Sequence, residues 1–168
     1  MRRSLLLAAA ILLVAPAVVQ AQTPLNVYQT IDIAAPARKV WDTVKNWDNL
    51  HGWHPAFAST QLVSGQNNTV GSVRKLTLKD GPSFDEELLV FDDAAMKLRY
   101  KIIGEAPLPI TNYDSTIQVL ATGANKSTVV WRSSFVPKPG AKDNVVMEAV
   151  TQLYLGGLQN LKQSIEGR

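Results

Sequence analysis

Cysteine is absent from this 168-residue chain. That absence excludes a disulfide framework, a thiol nucleophile, Cys-ligated zinc or iron–sulfur centres, covalent c-type haem and a lipidated N-terminal cysteine. Histidine is scarce, and only His51 and His54 are available for imidazole chemistry. There is no Gly-rich phosphate loop, dinucleotide fingerprint or nucleophile motif, so nucleotide-dependent and triad-type catalysis have no support. No repeat, low-complexity tract or Pro/Ser-rich linker divides the chain, and its length suits one domain.

What is present begins with an export-type leader. Arg2 and Arg3 precede an apolar run of 11 residues from Leu5 to Ala15, Pro16 breaks it, and Val19-Gln20-Ala21 places small residues at the −3 and −1 positions. The run is short of the roughly 20 residues of a spanning helix. The expectation is a signal peptide over 1–21, cleaved near Ala21, with a periplasmic mature domain over 22–168 and no membrane span after processing. The alternatives are an uncleaved anchor and a buried core helix. Removal of the leader takes two of the 17 cationic residues and none of the 14 acidic ones, so the formal charge falls from +3 to +1. The remaining chain holds no Lys/Arg cluster of the kind that binds nucleic acid or anionic lipid.

Periodicity predicts the elements. Strand alternation over 25–33 puts Val27, Ile31 and Ile33 on one face, and Pro36 suits the first turn of a helix over 37–47 whose Val40, Trp41, Val44 and Trp47 form a stripe. A second short helix or irregular turn is expected over 48–52, ended by His54-Pro55. Strands follow over 57–63, 73–79, 84–91, 97–103, 113–121 and 128–136, separated by turn chemistry such as Asp80-Gly81-Pro82. A last helix over 143–166 is capped by Asp143 and carries Val146, Ala149, Val150, Leu153, Leu161 and Ile165 near one stripe. Gly156-Gly157 in its middle lowers helix propensity by about 1 kcal/mol each, which points to close backbone approach or a bend. This order specifies an α+β fold, an antiparallel sheet with the long C-terminal helix laid across its concave face.

The stretches Pro36-Ala37-Arg38-Lys39-Val40-Trp41, Trp53-His54-Pro55, 71–81, 86–93 and 131–135, in this order of elements, resemble the helix-grip fold of the START/Bet v1-like (SRPBCC) superfamily, its polyketide cyclase/dehydrase-type branch in particular. The resemblance spans about residues 25–165 and implies a curved sheet wrapped around the C-terminal helix, with a deep cavity between them for apolar or amphipathic ligands. Alternation then says which side chains face inward. Arg74 shares a face with Leu76 and Leu78, and Glu86 with Phe84, Leu88 and Val90, on either side of one hairpin; a facing ion pair is expected because an unpaired buried charge is expensive. Tyr100, Tyr113 and Trp131 fall on inward faces and can leave hydroxyl or indole donors in a pocket. Trp53 and His54 are placed at its mouth. The candidate ligand-binding set is therefore Trp53, His54, Arg74, Glu86, Tyr100, Tyr113 and Trp131. His54 and Glu86 are weak catalytic candidates. The plain alternative for all of them is core packing around a structural salt bridge. His51 and His54 lack a third imidazole, so no metal and no cofactor is expected.

An exported, cysteine-free domain of this kind is similar to the MxaD-type proteins of periplasmic methanol oxidation. That similarity implies a non-catalytic accessory protein promoting the interaction of methanol dehydrogenase with its cytochrome c acceptor. A hydrophobic small-molecule carrier and a cyclase/dehydratase-like enzyme are the alternatives, with an apolar small molecule as the ligand in either case.

Overall fold

The computed structural model describes residues 23–167, so the leader expected over 1–21 lies outside the described residues. β1 (Leu25–Ile33) leads into α1 (Ala37–Val44) and a single 3₁₀ turn at Leu50–Gly52. β2 (Phe57–Ser64), β3 (Val73–Leu78), β4 (Ser83–Asp92), β5 (Lys97–Ile103), β6 (Ile110–Gly123) and β7 (Lys126–Pro137) follow, and α2 (Asp143–Glu166) closes the chain. The seven strands form one antiparallel sheet in the order β1-β7-β6-β5-β4-β3-β2. This is the expected α+β helix-grip architecture.

The sheet is curved where its pairing slips. Register shifts interrupt β2/β3, β4/β5 between Leu88 and Val90, and β6/β7 between Thr111 and Asp114, where Asn112 adopts φ 53°. Bulges of this kind bend a strand and raise its local twist. The concave face carries Leu76, Leu88, Leu98, Ile117, Val119, Val129 and Phe135, all buried. α2 covers it with Val146, Val150, Tyr154, Leu158, Leu161 and Ile165. Its C-terminal end is tied to the end of β1: Ala34 N–H donates to Glu166 Oε1 at 2.7 Å, and Lys162 Nζ donates to the Asp32 carbonyl at 2.7 Å.

Three local expectations are corrected. α1 stops at Val44 rather than Trp47, because side-chain oxygens of the β2–β3 turn capture the next backbone donors: Trp47 N–H donates to Asn68 Oδ1 at 3.0 Å and Asp48 N–H to Asn67 Oδ1 at 3.2 Å. Asp143 is the first helical residue of α2 rather than its cap; Lys142 takes the cap position with no side-chain bond. On α2, Ala149 and Leu153 are half-buried, while Tyr154 and Gly157 lie on the buried face.

Candidate functional site

The site grows from the β3–β4 hairpin. Arg74 and Glu86 are directly paired in register, and both are nearly inaccessible. Arg74 Nε and Nη2 both donate to Glu86 Oε2, at 2.9 and 2.7 Å, and Nη1 donates to the Trp47 carbonyl at 3.0 Å. The guanidinium lies over the Trp47 ring, 3.6 Å from its centroid, a cation–π contact strengthened by exclusion of water. Burial pushes the Glu86 carboxyl above its ordinary value, and the facing guanidinium works against that rise.

Next to this pair, three strands and α2 bring hydroxyl groups together. Trp131 Nε1–H is shared between Tyr100 Oη at 3.0 Å and Ser115 Oγ at 3.1 Å. Ser115 Oγ–H donates to the Arg132 carbonyl at 3.0 Å, which leaves the Ser115 oxygen to accept from Tyr154 Oη at 3.1 Å. Tyr154 in turn accepts from Tyr113. The Tyr154 ring stacks on Trp131 with centroids 4.2 Å apart and planes 10° from parallel. Burial pushes the Tyr154 hydroxyl up to about 12, and the Tyr100 and Tyr113 hydroxyls well above their ordinary value, so all three hold their protons.

His54 is sealed, with 1 % of its surface exposed. Its Nδ1 accepts the Ala56 N–H at 3.2 Å, which places the proton on Nε2, and Nε2 donates to the Leu153 carbonyl of α2 at 3.0 Å. Both ring nitrogens are engaged. Desolvation lowers its pKa to about 4, and the hydrogen bond to Leu153 only partly offsets that fall. The ring reaches α2 because Gly157 has no side chain: a Cβ there would sit 2.7 Å from Nε2 and 3.1 Å from Trp131. The close approach expected at Gly156-Gly157 is thus made by Gly157, while Gly156 faces open space.

Between these groups and α2 lies an apolar cavity of about 40 Å³. Of the seven residues singled out from the sequence, Glu86, Tyr100, Tyr113 and Trp131 line it, whereas Trp53, His54 and Arg74 stand behind that lining. The half-buried Ile102, Pro107, Leu108 and Leu153 form its rim. The deep cavity implied by the resemblance is narrowed because aromatic side chains from both layers, including Trp47, Trp131 and Tyr154, interdigitate where a ligand would lie. Sequence reasoning missed Tyr154. Its signal was the i, i+4 spacing from Val150 and to Leu158. Trp47 as the plate beneath Arg74 had no local signal, since the contact joins residues 27 apart.

The convex face of the sheet holds a second feature. Tyr28, Arg132, Thr116, Arg99 and Val90 fall in one cross-strand row from β1 to β4. With Lys97 they line an open groove of about 510 Å³. Arg99 pairs with Asp114 at 2.7 Å, while Arg132 and Lys97 make no ion pair among the described residues. Nor do three carboxylate or imidazole groups gather as a metal site among the described residues.

Comparison with known proteins agrees with this geometry. A family described as polyketide cyclase / dehydrase and lipid transport matches residues 24–166. The abscisic acid receptor PYL10 of Arabidopsis thaliana is 31% identical over 143 residues, which cover 80% of this chain and 77% of that protein. Among solved structures, the protein XoxI from Bacillus cereus superposes with a TM-score of 0.76 at 33% identity, covering 83% of this chain and 94% of that one. An uncharacterised Bacillus thuringiensis protein gives 0.77 at 32% identity, covering 84% and 98%.

Proposed function

Because the chain belongs to the polyketide cyclase / dehydrase and lipid transport family, within the START/Bet v1-like superfamily, we propose that it is a non-catalytic binding protein whose interior accepts a small apolar ligand. One observation carries this reading: the titratable groups in and behind the cavity wall are held by one another, with only Glu86 Oε1 left open. His54 has both nitrogens occupied, Arg74 is held by Glu86 and the Trp47 carbonyl, and Tyr113, Tyr154 and Ser115 donate along a chain that ends on the Arg132 carbonyl, with Trp131 donating into it. A general base needs a free lone pair within reach of substrate and a partner to relay its proton; Glu86 Oε1 has the lone pair, but the tyrosines beside it in the lining, Tyr100 and Tyr113, hold their protons. A binding site needs apolar walls and a few fixed polar groups, and this cavity has both. The relative named as a receptor for abscisic acid supports ligand capture as a use of the fold.

The finer role we assign is that of an exported accessory factor in methanol oxidation, promoting contact between methanol dehydrogenase and cytochrome c. Its supports are the leader pattern over 1–21, the absence of any cysteine to bear haem, and the likeness to MxaD-type proteins. The convex groove adds a surface suited to an acidic partner, since Arg132 and Lys97 leave cationic charge uncompensated beside exposed Tyr28. Deletion of the gene should slow methanol oxidation through cytochrome c while the isolated dehydrogenase keeps its dye-linked rate. Equal rates in both strains would remove this role and leave the binding reading intact. Turnover of an apolar polyketide-like substrate, lost in Glu86→Gln without unfolding, would instead establish the cyclase/dehydratase alternative.

A further inference from the structure

The two oxygens of Glu86 are in different situations. Oε2 receives both Arg74 bonds, whereas Oε1 accepts no hydrogen bond. The residue is 4 % exposed, and it is the one charged side chain in the lining of the cavity. Oε1 is not sealed off, for it is absent from the buried polar atoms without a partner. Arg74, the cation that compensates this carboxylate, does not line the cavity; it sits behind Glu86 with its planar face against Trp47. The hydroxyl of Tyr113 and the indole N–H of Trp131 are engaged with their neighbours. Tyr100 Oη accepts the indole N–H and keeps its own O–H free, a neutral donor. A molecule entering the cavity therefore meets apolar walls, neutral phenol groups and a single charged acceptor.

We propose that the cavity selects ligands whose polar end is a hydrogen-bond donor, a primary alcohol or alkylammonium group, with Glu86 Oε1 as the anchoring acceptor, and that it excludes carboxylates. This rests on the binding reading above and specifies its chemistry. A donor head completes the open lone pairs of a buried carboxylate, and bonds to a charged acceptor are about twice as strong as neutral ones. A carboxylate head would instead bring a second buried anion against Glu86 with no free guanidinium donor facing it, the situation in which like charges cannot both stay ionised. The volume of about 40 Å³ holds such a head with little more. The tail must lie along Ile102, Pro107, Leu108 and Leu153 at the rim, which limits it to a short apolar chain.

The test is an amide-resolved NMR titration of the mature chain at pH 7 with 1-propanol, propylammonium chloride and sodium propionate, three probes of one length that differ only in the head. Propanol and propylammonium should shift the amides of Glu86, Tyr100 and Val150, and propionate should bind at least 10-fold more weakly. Glu86→Gln should weaken propylammonium at least 10-fold while propanol changes less, because the amide oxygen still accepts. The comparison of the three probes on the unmodified protein stands even where that variant fails to fold. Propionate binding as tightly as the other two would overturn the selectivity and leave the cavity a binding site. Unchanged propylammonium affinity in a folded Glu86→Gln protein would overturn Glu86 as the anchor. Absence of shifts with all three probes would overturn the binding reading itself, and this inference with it.

Discussion

At the scale of single residues, Gly156 and Gly157 are neighbours with opposite roles. Alanine at 156 meets nothing within 4 Å and gains helix propensity, so Gly156→Ala should raise stability by up to about 1 kcal/mol. Alanine at 157 drives its Cβ into the His54 ring and towards Trp131, breaking the bond from Nε2 to Leu153, and overpacking of this kind costs about 1–3 kcal/mol. Gly157→Ala should therefore lower the urea midpoint even though it too gains propensity. His54 itself makes stability depend on pH. Its folded pKa of about 4 lies below the ordinary 6.5, so between those values the unfolded chain binds more protons and stability falls as the solution is acidified. The shift corresponds to about 3 kcal/mol, present above pH 6.5 and lost progressively towards pH 4. Glu86, pushed upward by burial, acts in the opposite sense above its ordinary value. The histidine contribution is thus read by difference: urea unfolding at pH 7 and pH 5 should show a smaller pH effect in His54→Gln than in the unmodified chain.

At the scale of elements, the β3–β4 hairpin contains a charge pair that alternation alone brings face to face. Strand period and a tight Asp80-Gly81-Pro82 turn are enough to set Arg74 against Glu86. Removing one partner leaves a buried charge uncompensated, so Glu86→Leu should lose about 3–5 kcal/mol. Replacing both, as Arg74→Met with Glu86→Leu, should recover most of that loss, less the unsatisfied Trp47 carbonyl. A double-mutant cycle by urea denaturation measures the difference, and additive losses would show that the pair is not coupled. The end of α1 was not legible in the same way. The apolar stripe continues to Trp47, but Asn67 and Asn68, some 20 residues away, take the backbone donors that would have extended the helix. Tyr154 continues the i, i+4 row of Val150 and Leu158, whereas the partial burial of Leu153 follows from where α2 crosses the sheet.

At the scale of the whole molecule, β1 pairs with β7, so the sheet joins strands from opposite ends of the domain, and α2 covers its concave face. A chain truncated after Gly140 would expose buried Leu76, Leu88, Val129 and Phe135 to water. It should lose cooperative unfolding and bind apolar dyes such as ANS, checked by near-UV circular dichroism and dye fluorescence. Local sequence determined the element order, the fold class and the inward direction of Arg74, Glu86, Tyr100, Tyr113 and Trp131, because period 2 and period 3.6 are properties of neighbouring residues. It also determined, by lacking cysteine, that no thiolate or covalently attached haem could serve this chain. Only the tertiary structure decided that His54 is a closed link between the loop and α2, that Tyr154 completes the hydroxyl chain, and that the interior is narrowed to about 40 Å³. Those outcomes depend on how side chains from distant strands and one helix fill a shared volume. That volume is a small remainder between large packed layers, and no single segment encodes it.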